Sequence, residues 1–403
     1  MHHPTIPTLP EADLPANVRS FGMLSTFPPT ACGIATFAAA LSAGLVAHGS
    51  TVDVVRCGSA PDLEDPLVVA ALGDGRPARV AECVTALNAT DVVIVQHEYG
   101  IYDGADGEAV LDVMSHIEVP MVLIAHTVVS EPTAGQWSVL TRACAMADVV
   151  VVMTETGRAR LRASFGVHGD SVIVIPHGAA TPPAVIPVAP VSVADPTRAR
   201  ESGARVLTWG LLGPGKGIEW AIDAFGELDD LDPAPTYTIA GATHPKVRER
   251  AGESYREMLV ERAVRIGPGA RIAFDDSYRD LEALTELIRC ADLVVLPYDS
   301  DDQVTSGVLV DAVAAGRPVV STAFPHAVEL LATGAGIVVP QRDPAALAAA
   351  IRTVLTDDER AQAMAAEARR LAPELAWTAV AGRYDAIAVE LLADRMADGA
   401  VPA

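Results

Sequence analysis

The chain has 403 residues, half of them apolar, and a formal net charge of −23 from 29 basic and 52 acidic side chains. This length allows two or three domains, each with a hydrophobic core of its own. The strong negative charge opposes binding to nucleic acid and to anionic membrane surfaces, so neither is expected as a partner.

Cysteine content and hydropathy bear on the compartment. The five cysteines are scattered, odd in number and without a CxxC pair, so they indicate neither a disulfide framework nor a zinc site. The N-terminus lacks the basic start and apolar core of a signal peptide, and no apolar run reaches membrane-spanning length. We therefore expect a cytoplasmic protein that associates with membranes peripherally at most.

The first half of the chain alternates short apolar runs with helix-like segments. The runs are rich in valine and isoleucine and cover residues 18–24, 52–56, 91–95, 121–125, 148–153 and 171–175. Non-alternating runs of this kind are typical of a parallel sheet covered on both faces by helices. They predict an α/β fold, with a doubly wound, Rossmann-like N-terminal domain over residues 18–185.

The proline-rich segment 186–204 is the predicted linker, and the alternation resumes over residues 205–375. Strands are predicted there at 205–209, 237–240, 271–274, 293–296, 318–321 and 336–339, and helices at 218–228, 246–265, 280–290, 307–315 and 344–356. Two Rossmann-like domains would form a cleft between the carboxyl ends of their sheets, where such folds bind ligands. A last helical segment, 376–396, has one apolar face and is predicted to pack back on one of the domains.

A glycine-rich turn, GLLGPGKG at 210–217, separates an apolar run from a helical pattern. Bare N–H groups at a helix N-terminus, together with Lys216, suit a phosphate. The first seven positions also fit the P-loop of nucleoside triphosphatases, GxxxxGK. However, Gly217 replaces the Ser or Thr that would hold Mg²⁺, and Pro214 removes one N–H, which disfavours that function. An ordinary turn with a solvated lysine remains an alternative.

A second loop lies at 297–306, between the run 293–296 and a helical pattern. A helix that starts near Ser306 would point the amides and hydroxyls of Thr305, Ser306 and Gly307 outward at its N-terminus. An ordinary helix cap explains the same residues. Two such loops at strand ends of one sheet nevertheless fit a diphosphate.

Histidines follow three of the strands predicted in the first half. His97 and Glu98 follow one strand, His126 follows the next, and His177 follows the last. Imidazoles at three consecutive carboxyl ends would converge on the cleft floor, where they could hydrogen-bond a sugar or a proton in transfer. A lone histidine is more often structural, and no spacing such as HExxH indicates a metal site.

Taken together, these segments resemble the retaining, nucleotide-sugar-dependent glycosyltransferases with the two-domain GT-B fold, the large group 1 family that includes bacterial mannosyl- and glucosyltransferases. The resemblance covers nearly the whole chain. It rests on Gly33, VIPHG at 174–178, WGLLGPGKG at 209–217, IAG at 239–241, ADLVVLPY at 291–298 and DAVAAGRPVV at 311–320.

The resemblance implies a role for each candidate residue, and a terminal helix that returns to the N-terminal domain. It assigns catalysis to His126 and Lys216. It assigns binding of the donor diphosphate to Gly33, Gly215, Lys216, Thr305, Ser306 and Gly307. It assigns binding of the donor sugar and ribose to Gln303 and Asp311. The acceptor side of the cleft would be formed by His97, Glu98 and His177. The implied donor is of the GDP-mannose or UDP-glucose type and the acceptor a glycan or small molecule, without a metal or other cofactor.

Three positions depart from the family. The family usually has glutamates where this chain has Gln303 and Asp311, and an arginine where it has Leu211. Losing one charge-assisted hydrogen bond can cost about 1.5–3 kcal/mol. These departures leave two other functions open: a non-catalytic sugar-nucleotide binder or partner subunit, and an epimerase or phosphorylase on the same fold.

Overall fold

The computed structural model describes residues 19–30, 32–58, 65–73, 76–179, 203–277, 279 and 281–399. The N-terminal part forms one parallel sheet with helices between its strands. The strands are β1 (Ser20–Ser25), β2 (Thr51–Arg56), β3 (Val68–Ala71), β4 (Val92–His97), β5 (Met121–Ala125), β6 (Val149–Val152) and β7 (Val172–Val174). The helices are α1 (Gly33–Ala47), α2 (Pro77–Asn88), α3 (Ala109–Met114), α4 (Ala134–Met146) and α5 (Glu155–Phe165).

Both faces of this sheet are buried, which explains why its strands are runs of valine and isoleucine. On β4, Val93 and Val95 pack into one hydrophobic core, whereas Val92 and Ile94 pack into a second core on the opposite face. All four side chains are at most 1% exposed. The strand therefore needs apolar residues at every position, and a period of two could not appear in its sequence.

The C-terminal part repeats this architecture with a second parallel sheet. Its strands are β8 (Arg205–Trp209), β9 (Thr236–Ala240), β10 (Arg271–Asp275), β11 (Leu293–Leu296), β12 (Val319–Thr322) and β13 (Gly336–Val339). Its helices are α6 (Ile218–Phe225), α7 (Pro245–Ala251), α8 (Ser254–Ile266), α9 (Leu281–Cys290), α10 (Gly307–Ala314), α11 (Pro325–Leu330) and α12 (Pro344–Thr356). Two long helices follow, α13 (Asp358–Leu375) and α14 (Trp377–Gly399).

The strand orders are β3-β2-β1-β4-β5-β6-β7 and β10-β9-β8-β11-β12-β13, with every pair parallel. In each sheet the direction of chain progression reverses near the centre, between β1 and β4 and between β8 and β11. A reversal of this kind opens a crevice at the carboxyl ends of the strands. The predicted α/β fold with two Rossmann-like domains is confirmed.

Helix α14 returns to the N-terminal part and packs against α1. Gly44 makes the close approach possible, because a Cβ atom there would lie 2.7 Å from the Cβ atom of Ala381. At the edge of this contact, Arg19 donates two hydrogen bonds to the carboxylate of Asp385, at 2.8 and 2.5 Å. The side chain of Tyr384 lies in the core beneath β1. The last helix thus completes the hydrophobic core of the N-terminal sheet.

The structure differs from the sequence predictions in four elements. The short edge strand β3, the six-residue helix α11 and the long helix α13 were not predicted. The helix predicted over 246–265 is two helices, α7 and α8, because Gly252 adopts a left-handed φ of +61° between them. Of the predicted linker, 186–204, residues 186–202 lie outside the described part of the chain, and only residues 203 and 204 are described.

Candidate active site

The phosphate turn, residues 210–217, connects β8 to α6. Three of its glycines have positive φ: Gly210 (+116°), Gly215 (+89°) and Gly217 (+60°). Gly217 also packs directly on the loop that follows β11, since a Cβ atom there would lie 2.0 Å from the carbonyl oxygen of Pro297. The glycine at this position therefore serves the contact between two adjacent loops of the sheet.

Lys216 projects from this turn and lies over an aromatic ring. Its Nζ atom is 4.1 Å from the ring centroid of Tyr298, which is 1% exposed. A cation in this position is held by the electron-rich face of the ring without being neutralised. No carboxylate of the described residues lies within ion-pair distance of Lys216. The positive charge of Lys216 is therefore not compensated by any of these carboxylates.

The second loop ends at Ser306, the residue that caps α10, as the sequence predicted. Its amide does not point outward: the Ser306 N–H donates to Nδ1 of His326 at 2.8 Å. The Ser306 hydroxyl accepts from the N–H of Leu309 at 3.3 Å, in the usual manner of a helix cap. The expectation that the Ser306 amide and hydroxyl face the cleft was therefore wrong, because both groups are used within the domain.

The remaining predicted residues of this loop lie close by. The Gln303 side-chain amide donates to the carbonyl oxygen of Thr305, so it folds back on its own loop. Thr305 is half-buried, and Asp311 is half-buried one turn into α10. Among the described residues, the N–H groups of Gly307 and Val308 have no hydrogen-bond acceptor. These two amides are thus the open donors of the helix terminus.

On the N-terminal side, His126 follows β5 and is held by β4. Its Nε2 lies 2.8 Å from Oε1 of Gln96, whose amide group donates to Sδ of Met23 at 3.5 Å. This orientation makes Nε2 the protonated nitrogen and leaves Nδ1 as an acceptor. Burial, followed by the charges of neighbouring imidazoles, lowers the pKa of His126 to about 3. The ring is therefore neutral at physiological pH.

His177 lies beside His126, and both rings pack edge-on against Phe37, with centroids 5.1 and 4.7 Å away. Trp377, the first residue of α14, also packs edge-on against Phe37 at 4.8 Å. Burial lowers the pKa of His177 to about 4, and its Nδ1 lies 2.6 Å from the carbonyl oxygen of Gly178. The returning helix α14 thus builds part of the cleft floor.

One expectation about the histidines was wrong. His97 ends β4 and His126 follows the adjacent β5, but β6 lies between β5 and β7, the strand that precedes His177. The three strand ends are therefore not consecutive. His177 nevertheless reaches the other domain, because its ring lies 3.0 Å from where a Cβ atom of Gly307 would be.

His97 and Glu98 lie at the inner end of the cleft. His97 is 1% exposed, neither of its ring nitrogens has a partner on another described residue, and burial lowers its pKa to about 4. Glu98 accepts a hydrogen bond from the hydroxyl of Thr127, and burial raises the pKa of its carboxyl. This side of the cleft therefore offers hydrogen-bonding groups of low charge.

Gly33 begins α1, where Cys32 caps the helix by accepting from the N–H of Ala35 at 3.4 Å. No atom of the described residues would lie within 4 Å of a Cβ at Gly33, so the described structure leaves space beside this helix terminus. It can admit part of a ligand whose other parts contact the C-terminal domain.

Polar contacts join the two domains beside the cleft. Oδ1 of Asp302 accepts from the amide of Ser130 at 2.9 Å and from Nη1 of Arg160 at 3.0 Å. Lys246 donates to the carbonyl oxygen of Gly100 at 3.1 Å. The described structure is thus a closed arrangement in which both sheets present their carboxyl ends to one cleft.

Two family models match the chain. The model for glycosyl transferases group 1 matches residues 203–357, and the model for glycosyltransferase family 4 matches residues 31–181. The first span contains the phosphate turn and α10, and the second contains the histidines of the cleft floor. The chain belongs to the group 1 glycosyltransferases.

Two curated relatives illustrate this membership. The D-inositol 3-phosphate glycosyltransferase of Corynebacterium efficiens is 30% identical over 262 residues, which are 64% of this chain and 59% of that protein. The glycogen synthase of Mycobacterium tuberculosis is 34% identical over 186 residues, which are 46% of this chain and 42% of that protein. The matches thus span about half the length of these relatives.

Solved structures share the architecture of this group 1 chain. Anabaena HepE, in complex with UDP and glucose, aligns with a TM-score of 0.68 at 18% identity, over 93% of this chain and 100% of that one. Sucrose-phosphate synthase from Thermosynechococcus elongatus aligns with a TM-score of 0.69 at 19% identity, over 93% and 100%. At this identity the likeness establishes the GT-B fold. No helix among the described residues is both long and apolar enough to cross a bilayer.

His326 and Gln96 are two residues of the site that were not singled out from the sequence. Gln96 precedes His97 and orients His126, and His326 lies on α11 and binds the amide of Ser306. Neither belongs to a recognisable short motif. The only available signal was that each polar residue directly adjoins an apolar run or a proline near a strand end.

Proposed function

We propose that this group 1 glycosyltransferase moves a hexose from a nucleotide diphosphate sugar of the GDP-mannose or UDP-glucose type to an acceptor hydroxyl, with retention and without a metal or other cofactor. The proposal rests mainly on the loops after the neighbouring strands β8 and β11, which carry Lys216 and the open amides of Gly307 and Val308. His177 of the N-terminal domain approaches them, since its ring lies 3.0 Å from a Cβ atom placed on Gly307. A neighbour of the same fold was solved with UDP and glucose, which supports a sugar-nucleotide donor.

In this proposal the donor diphosphate lies between the domains. Lys216 and the amides of Gly215, Gly307 and Val308 stabilise its developing charge, since fixed donors cost no reorganisation when the bond breaks. Gly33 leaves room for the diphosphate on the opposite side. Thr305 and Ser306 act by shaping the loop.

The histidines are too weakly basic to carry the reaction as general bases. The pKa of His126 is lowered to about 3, far from the neutral range in which a general base is effective. We therefore assign its Nδ1 the task of accepting a hydrogen bond from a hydroxyl of the transferred sugar. The acceptor oxygen forms its bond to C1 as the C1–O bond to the phosphate breaks on the same face. The acceptor proton passes to the oxygen of the leaving phosphate.

Gln303 and Asp311 complete the donor site in this proposal, next to the sugar and the ribose. His97, Glu98 and His177 border the space for the acceptor, a soluble glycan or a small molecule. All five cysteines are free thiols, which supports a cytoplasmic location for the reaction.

The decisive test compares Lys216→Ala with Lys246→Ala. The chain has only these two lysines, so each variant removes the same charge from the same domain. Turnover is measured as nucleoside diphosphate released from UDP-glucose, GDP-mannose and ADP-glucose with simple sugar acceptors. We expect Lys216→Ala to lower kcat by roughly 10²-fold or more, with the fold intact by circular dichroism, and Lys246→Ala to have a much smaller effect. Near-normal turnover of Lys216→Ala would refute the role of the turn.

A second candidate function, a non-catalytic sugar-nucleotide binder, is favoured by the orientation of Gln303, whose amide donates to its own loop. The melting temperature of a non-catalytic binder would rise in the presence of one of the nucleotide sugars, and no nucleoside diphosphate would be released. An epimerase would isomerise the donor, and a phosphorylase would require inorganic phosphate, so the same incubation separates all these activities.

A further inference from the structure

The N-terminus of α10 distributes its amide donors unequally. Of the first four N–H groups, that of Ser306 donates to Nδ1 of His326 and that of Leu309 donates to the Ser306 hydroxyl. In the part of the chain that the structure describes, only those of Gly307 and Val308 lack an acceptor. A contact from outside the helix, that of His326, therefore helps to determine which amides remain available to a ligand.

The two open amides lie where both domains meet. A Cβ atom on Gly307 would lie 3.0 Å from the ring of His177, in the N-terminal domain. A Cβ atom on Gly210, the first residue of the phosphate turn, would lie 3.5 Å from Cγ2 of Val308. These amides therefore lie beside the phosphate turn of their own domain and beside His177 of the other domain.

His326 is built to act as an acceptor and not as a cation. It is 4% exposed, and burial lowers its pKa to about 3, so the ring stays neutral. A neutral ring that accepts at Nδ1 carries its proton on Nε2. The backbone runs the opposite way, because the N–H of His326 donates to the carbonyl oxygen of Gln303 at 3.4 Å. Two hydrogen bonds of opposite direction thus tie α11 to the loop 303–306.

Helix α11 is itself fixed from its other end. The carboxylate of Glu329, one turn after His326, accepts from the N–H groups of Glu155 and Thr156 at 2.7 and 3.1 Å. It also accepts from the Thr156 hydroxyl at 3.1 Å. These donors begin α5, whose N-terminus favours a negative charge. Contacts with the N-terminal domain therefore help to fix the position of His326.

From this arrangement we propose that His326 is a positioning residue for the donor: by accepting the Ser306 amide, it sets the loop so that the Gly307 and Val308 amides, and no others, face the diphosphate. This inference rests on the proposed function, since it presumes a diphosphate in the cleft. His326 itself does not touch the ligand in this scheme.

The experiment uses the full chain and three substitutions at one position. His326→Asn keeps an acceptor near the place of Nδ1, His326→Gln moves the acceptor toward the place of Nε2, and His326→Leu removes it. Binding of UDP, GDP and ADP, and of the corresponding monophosphates, is measured by isothermal titration calorimetry, with the melting temperature of each variant as a control for folding.

We expect Kd for the preferred diphosphate to rise about tenfold in His326→Leu and His326→Gln, the loss of one buried hydrogen bond, and by less than about threefold in His326→Asn. Monophosphate affinity should change less than diphosphate affinity, which a general loosening of the domain would not produce. If His326→Leu fails to fold, the comparison of Asn with Gln decides. Equal diphosphate affinities in the Asn and Gln variants would overturn the inference, whereas a wild-type chain that binds no nucleotide would refute the proposed function instead.

Discussion

Replacement of Gly217 by alanine should destabilise the C-terminal domain more than the backbone conformation alone explains. Gly217 has φ 60° and ψ 21°, a left-handed conformation that costs an L-residue about 1–2 kcal/mol. The new Cβ atom would also lie 2.0 Å from the carbonyl oxygen of Pro297, so one of the two loops must move. Overpacking of this kind adds about 1–3 kcal/mol.

Gly215→Ala is the matched control, because Gly215 also has a positive φ, +89°, but a Cβ atom there would meet no atom within 4 Å in the described part of the chain. Urea unfolding followed by tryptophan fluorescence should show a fall of about 1–2 kcal/mol for Gly215→Ala and of about 2–5 kcal/mol for Gly217→Ala. Gly217→Ser restores the letters of a P-loop and should be destabilised in the same way, without gaining ATP hydrolysis. Equal destabilisation by Gly215→Ala and Gly217→Ala would refute the assignment of Gly217 to the contact between the loops.

Two further predictions concern the domain contact and pH. Glu329→Gln replaces one carboxylate oxygen that accepts an N–H bond by an NH₂ group that cannot accept, so we expect a larger radius of gyration by X-ray scattering and a several-fold higher Kd for UDP-glucose or GDP-mannose. Glu282→Gln, exposed in the first turn of α9, is the control, and unchanged values for Glu329→Gln would contradict the role of Glu329. For pH, unfolded histidine has a pKa near 6.5, whereas that of folded His97 is lowered to about 4. The unfolded chain therefore binds the extra proton in this window, and stability is full above about pH 6.5 and falls as pH drops toward 4. His97→Asn should reduce the pH dependence of the unfolding free energy by about 1.4 kcal/mol per pH unit in this window, measured by urea titrations at pH 7, 6 and 5; parallel curves for both proteins would contradict it.

The sequence predicted the elements whose physical requirements are local. Valine-rich runs must form strands buried on both faces, and the glycines of the turn at 210–217 need conformations that other residues avoid. For these reasons the two sheets, the turn and the start of α10 at Ser306 could be predicted from the residues. The adjacency of β8 and β11, which brings the two loops together, follows from the usual strand order of such sheets.

The parts that were not predicted depend on contacts between distant residues. The Ser306 amide has its acceptor 20 positions away, on His326, and nothing in the local sequence reveals that this amide is used within the domain. The same holds for Gln96, whose carbonyl oxygen fixes the tautomer of His126. The expectation of three consecutive histidine-bearing strand ends failed for a simpler reason: the run 148–153, which forms β6, lies between the runs that form β5 and β7 both in the chain and in the sheet.

The contacts between the domains show why donor binding and closure should be linked in this chain. Asp302 precedes Gln303 in the donor loop and accepts hydrogen bonds from Ser130 and Arg160 of the other domain. Glu329 makes the corresponding contact from α11, which also holds the Ser306 amide. Both carboxylates that join the domains therefore lie on segments that shape the diphosphate site. Opening the cleft must release both carboxylates, whereas the bond between the Ser306 amide and His326 lies within the C-terminal domain. We therefore expect opening to weaken the support of the donor loop and of α11 from outside, and donor affinity to fall when either carboxylate is removed.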